Sequence, residues 1–384
     1  VIDGDLLASL IQPGYRVALA DGAGLPLAVL PALTDAARRA GDVELFLGWC
    51  MSPLEGLDPS VFRSVVAIMG GYGLRRSIDA GAIHYLPARL GTVPSLLHTT
   101  LRPDVFITSV TECSDGYRFT TEASWFSAAV SSGATIAAVV RTAAPSGAAG
   151  AALAADRVTI IGTDDSAPIE VPQSAITDAH RAIGKTVASL VAEGGRVQFG
   201  PGGIGACFVD ALDRPVRVDS GLLSDGVVTL DQRGLLLGQP MGTYAAGTAR
   251  LYEWLDGRPV LHPIEVTHDP GRLAVGSPFF AVNTALQIDL DGQINVEASR
   301  GSVVAGIGGN PDFAAAATTN IGGLSILALP TVHAGRPTLV ERLDAPVSTA
   351  SHDIDVVVTE LGWVDLRGLD RPQRRAALRT CWPA

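Results

Sequence analysis

Apolar runs alternate with polar, glycine-bearing breaks along the chain, and the lengths of the runs carry the first structural reading. Arg16-Val17-Ala18-Leu19-Ala20 is a short apolar run, Asp21-Gly22-Ala23-Gly24 a turn, Pro26 to Arg39 a helical stretch, and Val43-Glu44-Leu45-Phe46-Leu47 a second apolar run. Strand, turn, helix and strand in that order predict a βαβ unit. Similar runs at Val65 to Met69, Val105 to Val110, Thr135 to Val140 and Val158 to Ile161 are apolar at nearly every position. Continuous rather than alternating hydrophobicity predicts a mainly parallel sheet buried on both faces. The Ala-, Gly- and Pro-rich piece from Ala143 to Ala155 reads as a loop with a short helix.

The same pattern recurs in the second half. Thr163 to Ser174 turns to Asp, Ser and Pro, which predicts a crossing between domains before a helix that begins at Ser174 or Thr177. A helix over Asp178 to Ala192, a strand over Arg196 to Phe199, a glycine turn from Gly200 to Gly205 and a helix into Asp210 follow. Further strands are expected at Phe279 to Leu290, Leu324 to Leu329 and Asp355 to Val358. The fold class that results is α/β: two tandem open α/β domains with mainly parallel sheets, residues 1–174 and 175–384, with a site in the cleft between them.

Composition narrows the function classes. Of 384 residues 47% are hydrophobic and 17% charged, so the chain buries substantial cores and is not disordered. The net charge of -11 is spread along the chain without a basic patch, which argues against a nucleic-acid partner. No run approaches the roughly 18 apolar residues that span a bilayer, so no membrane partner is expected. Cys50, Cys113, Cys207 and Cys381 are far apart, and the seven histidines, His268 among them, form no ligand spacing. Neither a metal nor a disulfide framework is predicted, and a reducing cytoplasm fits best.

Three glycine-rich places could carry chemistry. Gly22 and Gly24 in the first turn, and Gly202 and Gly203 in the second, each lie between a strand and a helix, where unpaired N–H groups attract an anion. The alternative for each is a glycine chosen for a tight turn. The third is Gly306-Ile307-Gly308-Gly309-Asn310, whose amides suit the oxyanion formed from a thioester carbonyl.

Around that third loop the chain resembles a known family. The run N-T-A-L-Q-I-D-L-D-G-Q-I-N-V-E from Asn283, the loop G-I-G-G-N-P-D-F from Gly306, the stretch Gly322 to Leu329, and Val357 to Gly368 are similar to the carboxy-terminal signatures of the acetyl-CoA hydrolase/transferase family. Members of the 4-hydroxybutyrate CoA-transferase type belong to it. The amino-terminal half echoes the family more faintly, at Leu101-Arg102-Pro103-Asp104-Val105 and Asp115-Gly116-Tyr117.

The resemblance implies an acyl-CoA substrate, coenzyme A as part of that substrate rather than a permanently bound cofactor, and a homodimer, with a hetero-oligomer as the alternative. In the family a glutamate attacks the acyl-CoA, in a segment resembling H-T-E-M-x-S-D-G. Here the matching segment is Asp219-Ser220-Gly221-Leu222-Leu223-Ser224-Asp225-Gly226, which puts Gly221 at the nucleophile position. An acidic residue common in relatives before a proline is absent from Arg89 to Pro94 as well. By resemblance Gly308, Gly309, Asn295 and Glu360 remain as catalytic candidates, with Glu360 as general base, while Gly22, Gly24, Gly202, Gly203, Gly306, Asn310, Gly221 and Asp219 remain as CoA- or substrate-binding candidates. Glu112 is a weaker candidate base. The absent side chain at 221 is expected to leave space for water or a larger acyl group. The expected function is acyl-CoA hydrolysis, of the thioester or of a carbon-carbon bond that CoA activates. The alternatives are CoA transfer through a substitute carboxylate such as Asp219, or a non-catalytic CoA-binding subunit.

Overall fold

Val17, Leu19, Leu45, Leu47, Val105 and Ile107 are fully buried, and their burial is what assembles the first sheet. In the computed structural model, which describes residues 1–172 and 175–383, these side chains belong to strands Arg16–Leu19, Glu44–Leu47 and Val105–Cys113. The strands pair in parallel, Val17 beside both Leu45 and Val105. Ser64–Ala67 and His84–Tyr85 extend the sheet on one side; Thr135–Arg141 and Val158–Asp164 extend it on the other, all in parallel. Gly116–Phe119 and Ala149–Leu153 complete a nine-stranded sheet as antiparallel additions. The loop and short helix expected over Ala143 to Ala155 therefore contain a strand. Its residues Ala149–Leu153 find a partner in Gly116–Phe119, a pairing that composition does not encode. Phe46, Phe106, Phe119, Trp125 and Phe126 form a ring cluster with centroids 5.0–6.3 Å apart.

The chain forms two compact units. The first comprises Val1–Val171 together with Thr243–Glu265 and Val303–Gly306; the second comprises Pro172–Gly242, Val266–Ser302 and Ile307–Ala384. The boundary expected at residue 174, like the alternative helix start at Ser174, lies outside the described residues. Helix Asp178–Leu190 starts from a capping box in which Thr177 Oγ1 accepts from the His180 N–H and His180 Nδ1 accepts from the Thr177 N–H.

In the second unit Arg196–Phe199, Arg217–Val218, Phe279–Asn283, Leu324–Ala328 and Val356–Thr359 make a parallel sheet, with Gly362–Asp365 antiparallel at its edge. The run expected as one strand from Phe279 to Leu290 is broken. Phe279–Asn283 stays in this sheet, whereas Gln287–Asp289 joins a three-stranded sheet with Ile294–Asn295 and Leu339–Val340. Among the described residues no helix is long and apolar enough to cross a membrane.

Candidate active site

The first glycine turn is closed by the protein's own groups. Gly22 donates its N–H to Trp49 O at 3.0 Å, and Gly24 donates to the Glu122 carboxylate at 3.2 Å. A Cβ on Gly24 would lie 2.2 Å from Thr120 Oγ1 and 2.4 Å from Glu122 Oε1. Both glycines are buried, and the following turn is 3-10, over Leu27–Val29, before the helix Leu30–Ala40 begins. The amides expected to receive an anion are therefore spent, and Gly22 and Gly24 serve close packing around Glu122. Burial pushes the Glu122 carboxyl up to about 8. It also pushes Asp21 up to about 6, against hydrogen bonds from the Trp49 N–H, Trp125 Nε1–H and Tyr244 O–H at 2.9–3.0 Å.

The second glycine turn opens onto a pocket. Gly202, at φ 110°, takes a backbone shape that favours glycine and precedes helix Gly203–Ala211. Pro201, Gly202, Gly203 and Ile204 line a cavity of about 280 Å³ whose other walls include Leu286, Val296, Pro330 and the histidines His180 and His333. A Cβ on Gly203 would stand 2.3 Å from His180 Nδ1, so this glycine is what lets the imidazole lie over the helix start.

Gly221 has close neighbours. A Cβ there would lie 3.0 Å from the Phe313 ring and 3.2 Å from His268 Nε2. His268 and Phe313 stack at a tilt with centroids 4.6 Å apart, and both are buried. Two rings thus stand in close contact where open space beside position 221 was expected. Gly309, the residue before helix Asn310–Thr319, shares the cluster: its Cβ would meet His268 Nε2 at 2.4 Å and Phe313 at 2.8 Å. Gly308 stands at φ 65° with nothing near its Cβ position, and neither its N–H nor that of Gly309 has an acceptor among the described residues.

The remaining candidates are engaged elsewhere. Asp219 accepts two 2.8 Å hydrogen bonds from Arg272 and a 3.4 Å one from Arg196. Glu360 accepts from the Thr331 N–H at 2.9 Å and the Thr331 hydroxyl at 2.5 Å, which pins the turn after Pro330 at the pocket wall. Asn295 is fully buried, with Oδ1 accepting from the Glu297 and Ala298 N–H groups and Nδ2 donating to Ala298 O at 2.7 Å. It fixes its own turn, one residue before Val296 at the pocket. Asn310 Oδ1 accepts from the Thr349 hydroxyl at 3.1 Å. Gly306 packs on Met69, whose sulfur would lie 2.3 Å from a Cβ built on Gly306. Glu112 is exposed near the end of strand Val105–Cys113. No group of three or more His, Cys, Asp or Glu residues is placed to hold a metal ion among the described residues.

The structure thus brings Gly221 and Gly309 to one cluster, with Gly308 next to it in the chain, and leaves Glu360 and Asn295 as organisers of neighbouring turns. It adds His268, which sequence spacing passes over because no partner histidine lies at a ligand interval. Its signal lies in the two glycines that make room for it.

Residues 247–381 match the acetyl-CoA hydrolase/transferase C-terminal domain. Over 98% of its length the chain is 26% identical to the 4-hydroxybutyrate coenzyme A transferase of Clostridium kluyveri, of which the match covers 93%. The match to the acetyl-CoA hydrolase of Candida albicans is 37% identical over 25% of this chain and 18% of that protein. The crystal structure of RipA from Yersinia pestis superposes with a TM-score of 0.91 at 26% identity, covering 100% of this chain and 94% of that one.

Proposed function

We propose that this chain, whose residues 247–381 match the acetyl-CoA hydrolase/transferase C-terminal domain, binds an acyl-CoA and hydrolyses its thioester, with water in place of an attacking carboxylate. The observation that supports this reading is the surroundings of Gly221. Phe313 and His268 take the space into which a side chain at 221 would project, and Asp219, two residues away, is tied to Arg272 and Arg196. Without a free carboxylate there, an acyl-enzyme anhydride and an enzyme-bound CoA thioester have no place to form.

In the proposed reaction the thioester carbonyl lies at the open loop, and the N–H groups of Gly308 and Gly309 hold its oxygen as negative charge develops. The pocket in front of Gly202 and Gly203 takes an apolar part of the ester, the acyl chain or the pantetheine arm. Its size, about 280 Å³, suits part of such a ligand but not a whole coenzyme A. Glu360 acts on this pocket by holding the Thr331 turn.

Short, long and ring-bearing acyl-CoAs incubated with the purified chain in ¹⁸O-water test the reading by mass spectrometry. Hydrolysis releases free CoA without an added acid and puts one ¹⁸O into the carboxylate product. Formation of a new acyl-CoA that depends on an added acceptor acid, without free CoA, or a carboxylate-bound intermediate trapped by hydroxylamine, would establish transfer instead. Tight CoA binding with no turnover would establish a binding role.

A further inference from the structure

His268 is 2% exposed, and its two ring nitrogens have different surroundings. Nδ1 lies 2.9 Å from the Thr267 hydroxyl, whereas Nε2 has no hydrogen-bond partner among the described residues. Nε2 is also the atom that approaches both glycines, 2.4 Å from a Cβ built on Gly309 and 3.2 Å from one built on Gly221. Neither glycine has a positive φ, so backbone conformation does not demand glycine at either place. What demands it is the approach of the imidazole.

A side chain on either glycine would cover Nε2. With both absent, the buried nitrogen lies close to the Gly221 and Gly309 backbone, which is itself half-buried, next in the chain to Gly308. A phenylalanine at 268 would fill the same space next to Phe313 without placing an unpartnered ring nitrogen there. Buried polar atoms without a partner are rare because their desolvation is uncompensated, and this one lies against Gly309, in the loop whose Gly308 and Gly309 amides have no acceptor among the described residues.

We propose that His268 is the general base that activates water at the Gly308–Gly309 loop. The assignment rests on the hydrolase reading given above. With Nδ1–H donated to Thr267 Oγ1, Nε2 carries a lone pair. Water donates a proton to Nε2 as its oxygen bonds to the thioester carbon, and the C=O π pair moves onto the oxygen held by Gly308 and Gly309. When the oxyanion collapses, the C–S bond breaks and the imidazolium returns the proton to the departing thiolate. The products are a carboxylic acid and free CoA, and no other reactant is consumed. Burial, reinforced by the Arg272 charge, pushes the resting imidazole down to about 3, so it waits in the neutral form. An oxyanion forming beside it favours the protonated ring and restores basicity when the proton must be taken.

The test uses the full chain and an acyl-CoA found to be hydrolysed. His268→Gln and His268→Phe keep the space filled, and His268→Ala leaves a cavity of imidazole size. The expected result is a kcat lower by about 10²–10⁴ in all three. Binding of a non-hydrolysable CoA thioether and the thermal midpoints of His268→Gln and His268→Phe should match the wild type. Added imidazole should raise the rate of His268→Ala and leave that of His268→Phe unchanged. Wild-type hydrolysis that persists within tenfold in folded His268→Gln and His268→Phe would overturn the role of His268 and leave the hydrolase reading standing. A wild-type chain that hydrolyses no acyl-CoA would overturn both.

Discussion

At the scale of single residues, Gly221 is held by its neighbours. Its backbone would accept other residues, but Phe313 and His268 stand where a longer side chain would go. Gly221→Glu is therefore expected to displace one of the rings and to lower stability, by about 1–3 kcal/mol as overpacked cores do, without producing CoA transfer. Acceptor-dependent formation of a new acyl-CoA by this variant would show that a carboxylate can be seated there. Asp219 is fixed by a different force. Its carboxylate is almost wholly buried against Arg272 and Arg196, so Asp219→Asn leaves two guanidinium groups without their countercharge. A loss of about 3 kcal/mol is expected in denaturant unfolding, the range for breaking a buried pair, and a loss under about 1 kcal/mol would mean that solvent replaces the partner.

At the scale of elements, two turns with the same sequence character have opposite fates. Gly22 and Gly24 lie under Glu122 with their N–H groups bonded, while Gly202 and Gly203 face a cavity. The difference arises from what packs on each turn, a carboxylate from the segment Thr120–Glu122 in one case and an imidazole that leaves one side open in the other. Gly24→Ala is expected to destabilise the first unit by about 1–3 kcal/mol through overlap with Thr120 and Glu122. Gly200→Ala, with no atom within 4 Å of its Cβ, should change stability by no more than about 0.5 kcal/mol. Paired thermal unfolding measurements check the contrast, and equal effects would contradict it.

For the whole molecule, the two units carry buried titratable groups that respond to pH in opposite directions. Asp21 and Glu122 in the first unit are raised to about 6 and about 8. The unfolded chain loses these protons near pH 4 while the folded chain keeps them, so their contribution to stability falls as pH rises from about 4 to about 8. In the second unit His268 is lowered from 6.5 to about 3. The unfolded chain binds that proton first, so this contribution is lost as pH falls from about 6.5 towards 3. Glu122→Gln, which mimics the protonated acid, is expected to flatten the decline in stability between pH 5 and pH 8. An unchanged slope would mean that Glu122 titrates normally.

Much of this was legible in the sequence. Apolar runs of four to seven residues without alternation can be buried only between two layers, and they specify the parallel strands around Val17, Val105 and Val357. The ordered carboxy-terminal motifs likewise pointed to the acyl-CoA chemistry of similar proteins, because such motifs are local in the chain. Contacts between distant segments are not local, and the structure alone decided them. It placed Ala149–Leu153 in the first sheet and Thr243–Glu265 in the first unit, sealed the first glycine turn with Glu122, and tied Glu360 to Thr331. It also set His268 against Gly221, 47 residues before it, and Gly309, 41 residues after it, separations that no local spacing encodes. Glycine is silent in sequence about what lies beside it; only the packed fold shows whether the missing side chain makes a turn, a close contact or an opening.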